Sequence, residues 1–371
     1  MDFTLNDEQQ ALVGLATQIL GKEVTQARLD GLAEKGTWFD RELWQQLAGA
    51  GLVGAALSED VGGGGLGFAA AALVLEQVGA TVAQVPLLET VVFGALPIDR
   101  FGTPEQRQRD LPDVVAGTAL LTAALNETGR EDGLRPGALA VESAGAWTVS
   151  GLKSAVPFGD VARRIVVPAT TAAGRTVLLL VEPGTPGVTL RPGTSTNGLP
   201  AFELDLADAP AELLVGPEQG AEALAWLLDR ALTGLAATGL GVSGKALQLS
   251  AQYTTTREQF GRPIATFQAV GHRLADAYID VEAIRLTTLQ AIWRLDAGLP
   301  AHDEARIAKW WAAEGGHRVA HAAQHVHGGV GIDLDYVLHR YFTWSKHVEF
   351  TLGGAQAQLL SLGATLAAEP V

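Results

Sequence analysis

The sequence predicts a multidomain α+β fold in the order helices, sheet, helices, and the spacing of its apolar residues carries that prediction. From Asn6 to about Leu111 they recur mostly three and four apart, the repeat of one helix face. Between Leu120 and Val215 the texture breaks into short runs such as TALLTAAL, AWTVSG, TVLLLVE and AFELDL, divided by Gly, Pro, Asn and Asp. That pattern reads as an antiparallel β domain. From Glu218 to Ala368 the helical period returns. The expected domains are 1–113, 114–217 and 218–371, and 371 residues with 47% hydrophobic content suffice for two or three cores.

Taken in chain order, Asn6 is placed to cap the first helix. The VGGGGLG run at 61–67 has no strand before it, so it reads as a flexible connection between helices rather than a phosphate loop. Trp147 falls in a strand pattern and reads as a core aromatic, the alternative being one that packs on a ligand. A long helix dense in small residues is expected from Ala221 to Phe260, stopped by Gly261 with Pro263 beyond it. Thr266 is placed to cap the next helix, whose apolar stripe is Phe267, Val270, Leu274, Ala277, Val281 and Ile284.

Composition removes several functions. A formal charge of −15 repels nucleic acid and anionic membrane surfaces, so an anionic ligand must be held by local cations. The absence of cysteine excludes disulfides, thiolate catalysis and iron–sulfur ligation. No apolar run is long and uncharged enough to insert in a membrane. The acidic start MDFTLNDEQQ lacks the pattern of a secretory signal, and the expected location is cytoplasmic.

One neighbourhood suits a diphosphate. Arg257 is expected in the last turn of the long helix, beside the start of a new one that brings free amides and Gln268. The alternative is that Arg257 only complements the negative end of the helix dipole. The segment Arg257-Glu258-Gln259-Phe260-Gly261-Arg262-Pro263, followed by Phe267-Gln268, resembles the R-x-x-F-G-x-P…F-Q signature of acyl-CoA dehydrogenases. The order of helical, β and helical segments is similar to that family over the whole chain. A second match is AAQHVHGGVG at 322–331, where His325 stands in the slot of the family's glutamine, three residues before the glycine pair. The other reading of that stretch is a helix break with His325 and His327 solvated; no carboxylate at helical spacing completes a metal site.

The resemblance implies an acyl-CoA dehydrogenase-like fold with a C-terminal four-helix bundle. It also implies FAD shared across a subunit interface, gripped by Arg257, Gln259, Phe260, Gly261, Gln268, His325, Gly328 and Gly329. The flavin-ring half departs from the family. Its T-E-P-x-x-G-S-D loop corresponds to Asn126-Glu127-Thr128-Gly129-Arg130-Glu131-Asp132, which keeps the glutamate, and its K-x-W-I-T-N pattern to Lys153 through Phe158, with Ala155 and Pro157 replacing Trp and Thr. Proline offers neither amide hydrogen nor hydroxyl.

Catalysis in the family needs a carboxylate base. The glutamate of its Y-E-G-T turn is matched by Leu352, and the position used by other members by Ala231. Asp229 is a weak candidate two residues off, about 200° around a helix, and Glu349, three residues before Leu352, is a weaker one that reads rather as a solvated charge near Lys346. No catalytic residue is therefore assigned. The resemblance then points to the non-catalytic subunit of a heterotetrameric dehydrogenase, similar to the paired subunits that degrade steroid side chains in actinobacteria, which the LHRYFTWSKHVEFTLGG ending also resembles. A partner acyl-CoA dehydrogenase subunit would supply the base and most of the acyl-CoA site. The alternatives are a homotetramer using Asp229 and a redox-inactive acyl-CoA-binding scaffold.

Overall fold

The structure is a computed structural model that describes residues 3–36, 38–130 and 133–368. Helices come first: α1 (Asp7–Glu23), α2 (Gln26–Glu34), α3 (Arg41–Gly49), α4 (Gly67–Thr81), α5 (Leu96–Phe101) and α6 (Pro104–Val115). Seven strands follow, β1 (Leu120–Ala123), β2 (Leu139–Ser143), β3 (Ala146–Pro157), β4 (Ala162–Thr171), β5 (Thr176–Val181), β6 (Val188–Thr194) and β7 (Pro200–Val215). The remainder is α7 (Gly220–Thr256), a hairpin of β8 (Glu258–Gln259) and β9 (Arg262–Pro263), then α8 (Gln268–Asp296), α9 (His302–His327), α10 (Leu338–Phe350) and α11 (Ala355–Ala368). By contacts the chain forms two units, one of Met1–Asp30, Ala72–Ala83 and Leu232–Val371, the other of Gly31–Ala71 and Gln84–Ala231, so the N-terminal helices contribute to both.

Asn6 does cap α1. Its side chain accepts from the Gln9 amide while Gln9 Oε1 accepts from the Asn6 amide, a reciprocal box. The glycine run at 61–67 is not a loose connection. Gly63, Gly64, Gly65 and Leu66 donate their amides to Ser58, Gly54, Leu57 and Ala55 carbonyls, which folds the run back onto its own chain. Those donors are spent, so the run can neither flex freely nor cradle a phosphate. A π-helical run, Leu88–Ala95, precedes α5 and is wholly buried.

In the second unit β3, β7, β5 and β4 pair antiparallel in that order, and β6 adds to β7. The sheet is mixed rather than purely antiparallel, because β4 runs parallel to β1 and to the start of β2. Since β2 also pairs with β3, the ladder returns on itself. Its interior holds Val149, Val156, Ile165, Val167, Val177, Leu179, Val181, Leu204 and Leu206, with Trp147 packed against it as expected of a core aromatic.

In the first unit α9 packs against α8, α10 and α11. The expected stripe of α8 is buried at Ala277, Val281 and Ile284, and half-buried at Phe267, Val270 and Leu274. Helices α4 and α7 meet through two glycines: a Cβ at Gly79 would stand 2.1 Å from the Thr238 carbonyl oxygen, and one at Gly241 would stand 1.9 Å from that of Glu76. Only backbone against backbone fits that crossing. Among the described residues no helix is long and apolar enough to cross a membrane.

Candidate functional site

Helix α7 stops at Thr256, so Arg257 stands just past the last turn rather than in it. Its amide donates to the Tyr253 carbonyl and its own carbonyl accepts from Ile264, both at 2.8 Å. Nor is Gly261 the helix stop. Glu258 pairs with Pro263 and Gln259 with Arg262, which leaves Phe260 (φ +55°) and Gly261 (φ +75°) as the two central residues of a tight hairpin. Positive φ at both positions is the signature of a type I′ turn, in which glycine serves as well as it does at a helix end.

The hairpin presents Phe260, 92% exposed, to solvent. Phe267 lies edge-on to it at 6.0 Å and carries the Arg262 guanidinium over its own ring at 4.2 Å. Thr266 does not cap α8: Phe267 occupies the cap position without a side-chain bond, and Thr266 Oγ1 donates to the Pro263 carbonyl. Arg257, Gln259 and Gln268 are exposed. The Arg257 guanidinium has no partner among the described residues, while Gln268 Nε2 lies 3.3 Å from His272 Nε2.

Helix α9 ends at His327, and Gly328 turns the chain with φ +62° and ψ −138°, a conformation open to glycine and costly to other residues. A Cβ at Gly328 or Gly329 would meet nothing within 4 Å, so the turn has an open face. His325 is exposed. His327 is not solvated; it is 3% exposed and stacks on Tyr253 at 4.3 Å and 23°. Its Nδ1 is 2.8 Å from the Ala323 carbonyl and its Nε2 3.2 Å from Tyr336 Oη. Tyr253 lies one turn before Arg257 and His327 immediately before Gly328, so this stack joins the two segments that the sequence singled out separately. The sequence reading missed it, although Val319, Ala323 and Val326 set a buried stripe on α9 that His327 extends.

In the β domain the surviving residues of the two altered motifs hold each other. Glu127 Oε1 accepts from Lys153 Nζ at 2.6 Å, and the Glu127 carboxylate also takes the Gly137 and Ala138 amides. Lys153, 1% exposed, also donates to the Pro168 carbonyl. Burial alone would raise the Glu127 pKa, but the Lys153 ammonium and the two amides outweigh it and hold the carboxyl below its ordinary range. The same burial pushes Lys153 down, with Glu127 opposing. Ala155 is exposed at a break in the β3–β7 register with φ +50°, and Pro157 pairs with Ala201. Neither side chain brings a hydrogen-bond donor. Glu131 and Asp132 lie outside the described residues.

At the expected base position the turn Thr351–Gly354 carries Leu352 at φ +57° and Gly353 at φ +89°. Gln358 Nε2 donates to the Leu352 carbonyl at 2.9 Å. Beneath it lies Lys309, fully buried, whose Nζ donates to the carbonyls of Glu349 (3.1 Å) and Gly353 (2.9 Å). Burial pushes this ammonium down to about 7, with the Glu349 charge opposing. Ala305, Ala308, Ala312 and Ala313 place Lys309 on the buried stripe of α9, a sequence signal that the reading above did not use. Glu349 is not a solvated charge: its side chain is 16% exposed and pairs with Lys346 at 2.7 Å and His317 at 3.2 Å. On α7 Ala231 is buried and Asp229 half-buried. Among the described residues no cluster of His, Asp and Glu could hold a metal ion.

Two family models match the chain: acyl-CoA dehydrogenase, N-terminal domain, over residues 6–118, and acyl-CoA dehydrogenase, C-terminal domain, over residues 218–367. Acyl-CoA dehydrogenase FadE27 of Mycobacterium tuberculosis is 42% identical over 100% of both chains. Among solved structures, a chain of the ChsE4-ChsE5 complex from Mycobacterium tuberculosis superposes with a TM-score of 0.94 at 40% identity, covering 100% of both chains. A variant of the Tcur3481-Tcur3483 steroid ACAD gives 0.93 at 46% identity, covering 98% of this chain and 99% of that one.

Proposed function

The chain belongs to the acyl-CoA dehydrogenase family of oxidoreductases, and from that premise we propose that it is the non-catalytic subunit of a heteromeric enzyme that desaturates a steroid side-chain acyl-CoA. The observation that carries this reading is the turn at 351–354, which is built and braced but bears Leu352 where a base is required. A leucine side chain neither accepts nor holds a proton. The steroid assignment draws on the ChsE4-ChsE5 and Tcur3481-Tcur3483 neighbours.

FAD, when bound, supplies the acceptor for hydride leaving the substrate β-carbon. The residues present fit its diphosphate end. Arg257 offers an exposed guanidinium with no partner among the described residues, a two-pronged donor matched to phosphate oxygens. Gln259, Gln268 and His325 add exposed donors, and the Gly328–Gly329 turn admits close approach of a ligand to the backbone. Phe260 presents a flat apolar face for a base or ring to stack on. The flavin-ring end does not fit, because Ala155 and Pro157 bring no side-chain donor. This chain therefore grips a cofactor whose ring is served by a partner, and the partner holds the proton-abstracting carboxylate.

Co-expression with a partner acyl-CoA dehydrogenase, followed by measurement of flavin per protomer, tests the assignment. One FAD per two chains is expected, falling by more than half in Arg257→Ala complexes as charge-assisted phosphate contacts are lost. One FAD per chain in this protein purified alone would overturn it.

A further inference from the structure

We infer that the outer face of α11 is where two copies of this chain meet, so that the heteromeric complex proposed above is joined through a pair of these subunits. The contact itself is independent of the cofactor-gripping role; only the count of four chains in the complex rests on that reading.

Residues 351–368, TLGGAQAQLLSLGATLAA, contain no charged side chain in a protein where 18% of residues are charged. Helix α11 is held from one side. Gln358 is buried and donates to the Leu352 and Gly353 carbonyls, and Ser361 Oγ accepts from Arg306 Nε of α9 at 2.6 Å. Gln358, Ser361 and Thr365, spaced three and four apart, therefore mark its inner stripe. Gln356, Leu360, Gly363 and Ala367 run down the opposite face with Leu359 and Leu366 beside them, and all six are exposed. The leucines at 359, 360 and 366 are 50%, 59% and 66% exposed. They leave roughly 300 Å² of apolar surface in water, the size at which a patch on a soluble protein marks a contact.

Charge, pattern and area select a second copy as the occupant. The chain carries a formal charge of −15, so two copies repel wherever carboxylates face each other, and α11 offers a face with none. A basic partner would call for acidic side chains here instead. The pattern is also its own complement: with a two-fold axis between Gly363 and Ala364, antiparallel copies of α11 set Leu360 of each against Ala367 of the other, and Leu359 and Leu366 close the sides. A Cβ at Gly363 would meet nothing within 4 Å, so the middle of the face is open to a close crossing. Exposed Ile307, the chain neighbour of Arg306, and Phe350, which ends α10, add to α11 toward the roughly 800 Å² that a stable interface takes from each partner.

The chain has no cysteine, so Gly363→Cys gives each copy a single thiol at the crossing. Mild oxidation of the co-expressed complex should link two copies of this chain, seen as a doubled mass on a non-reducing gel, because a disulfide forms where Cα atoms lie about 4.4–6.8 Å apart. A cross-link to the partner subunit, or none in a complex that holds two copies of this chain, would overturn the inference. Leu360→Glu sets a carboxylate against its counterpart in the seam, and native mass spectrometry should show the complex falling from four chains to two with flavin per protomer unchanged. Leu359→Glu is the second variant should Leu360→Glu fold poorly. Variant complexes that keep four chains, or a wild-type complex with one copy of this chain, also overturn it. The two failures stay distinguishable: one FAD per chain in this protein purified alone removes the non-catalytic reading and leaves the α11 contact standing, whereas one FAD in a two-chain wild-type complex removes only the α11 contact.

Discussion

Replacing Lys309 with methionine should make the pH dependence of stability change in a calculable way. The ammonium is fully buried, and its folded pKa is about 7 against an unfolded 10.5. Between those values the unfolded chain binds a proton that the folded chain does not, so stability rises with pH across that window and the cost of burying charge is fully present below it. The slope approaches 1.4 kcal/mol per pH unit, and integrating from pH 7, where the folded group is half protonated, to pH 9 gives about 2 kcal/mol. Lys309→Met also removes two donors, from the carbonyls of Glu349 and Gly353, a loss of about 1–3 kcal/mol that does not vary with pH. The melting temperature of wild type relative to Lys309→Met should therefore rise by about 3 °C from pH 7 to pH 9, taking the unfolding entropy of a chain this long. Calorimetry on the two proteins measures it. An identical difference at both pH values would show that the ammonium is not held as the structure places it.

Glu89 sits in the π-helical run and burial raises its carboxyl to about 7, its own amide opposing slightly. Here the folded chain keeps a proton that the unfolded chain loses, so wild type should lose about 2–3 kcal/mol relative to Glu89→Gln between pH 5 and pH 8, checked by urea unfolding of both at the two pH values. Gly241→Ala should destabilise by about 3 kcal/mol or more, since its Cβ would stand 1.9 Å from the Glu76 carbonyl oxygen. Gly244→Ala on the same helix meets nothing within 4 Å and should stabilise by about 0.5–1 kcal/mol; thermal melts of the pair separate packing from helix propensity.

What the sequence made legible follows from how local each cause is. The capping box at Asn6 involves residues three apart, and the strand patterns repeat every second residue, so both are written in short windows. The hairpin at 258–263 was read as a helix stop because glycine with nearby proline marks both structures, and only the pairing of Gln259 with Arg262 separates them. Glycines at 61–67 looked slack because the carbonyls that bind them, on Gly54 through Ser58, carry no sequence mark. Lys309, Glu89 and His327 escaped for a related reason: a titratable residue in a helix reads as solvated unless its position on the buried stripe is weighed against its type.

The pairing of Glu127 with Lys153 ties together two stretches of chain 26 positions apart. Lys153 has Glu127 as its charge partner, so deleting the carboxylate strands a buried ammonium, at a cost of roughly 3–5 kcal/mol, whereas Glu127 without Lys153 keeps Arg130 at 3.4 Å. A loop can shed surface contacts one by one without harm to folding, but it cannot shed that carboxylate. The presence of this pair is thus accounted for by the sheet it staples, with the loop at 126–130 tied to β3 and to the Gly137 and Ala138 amides.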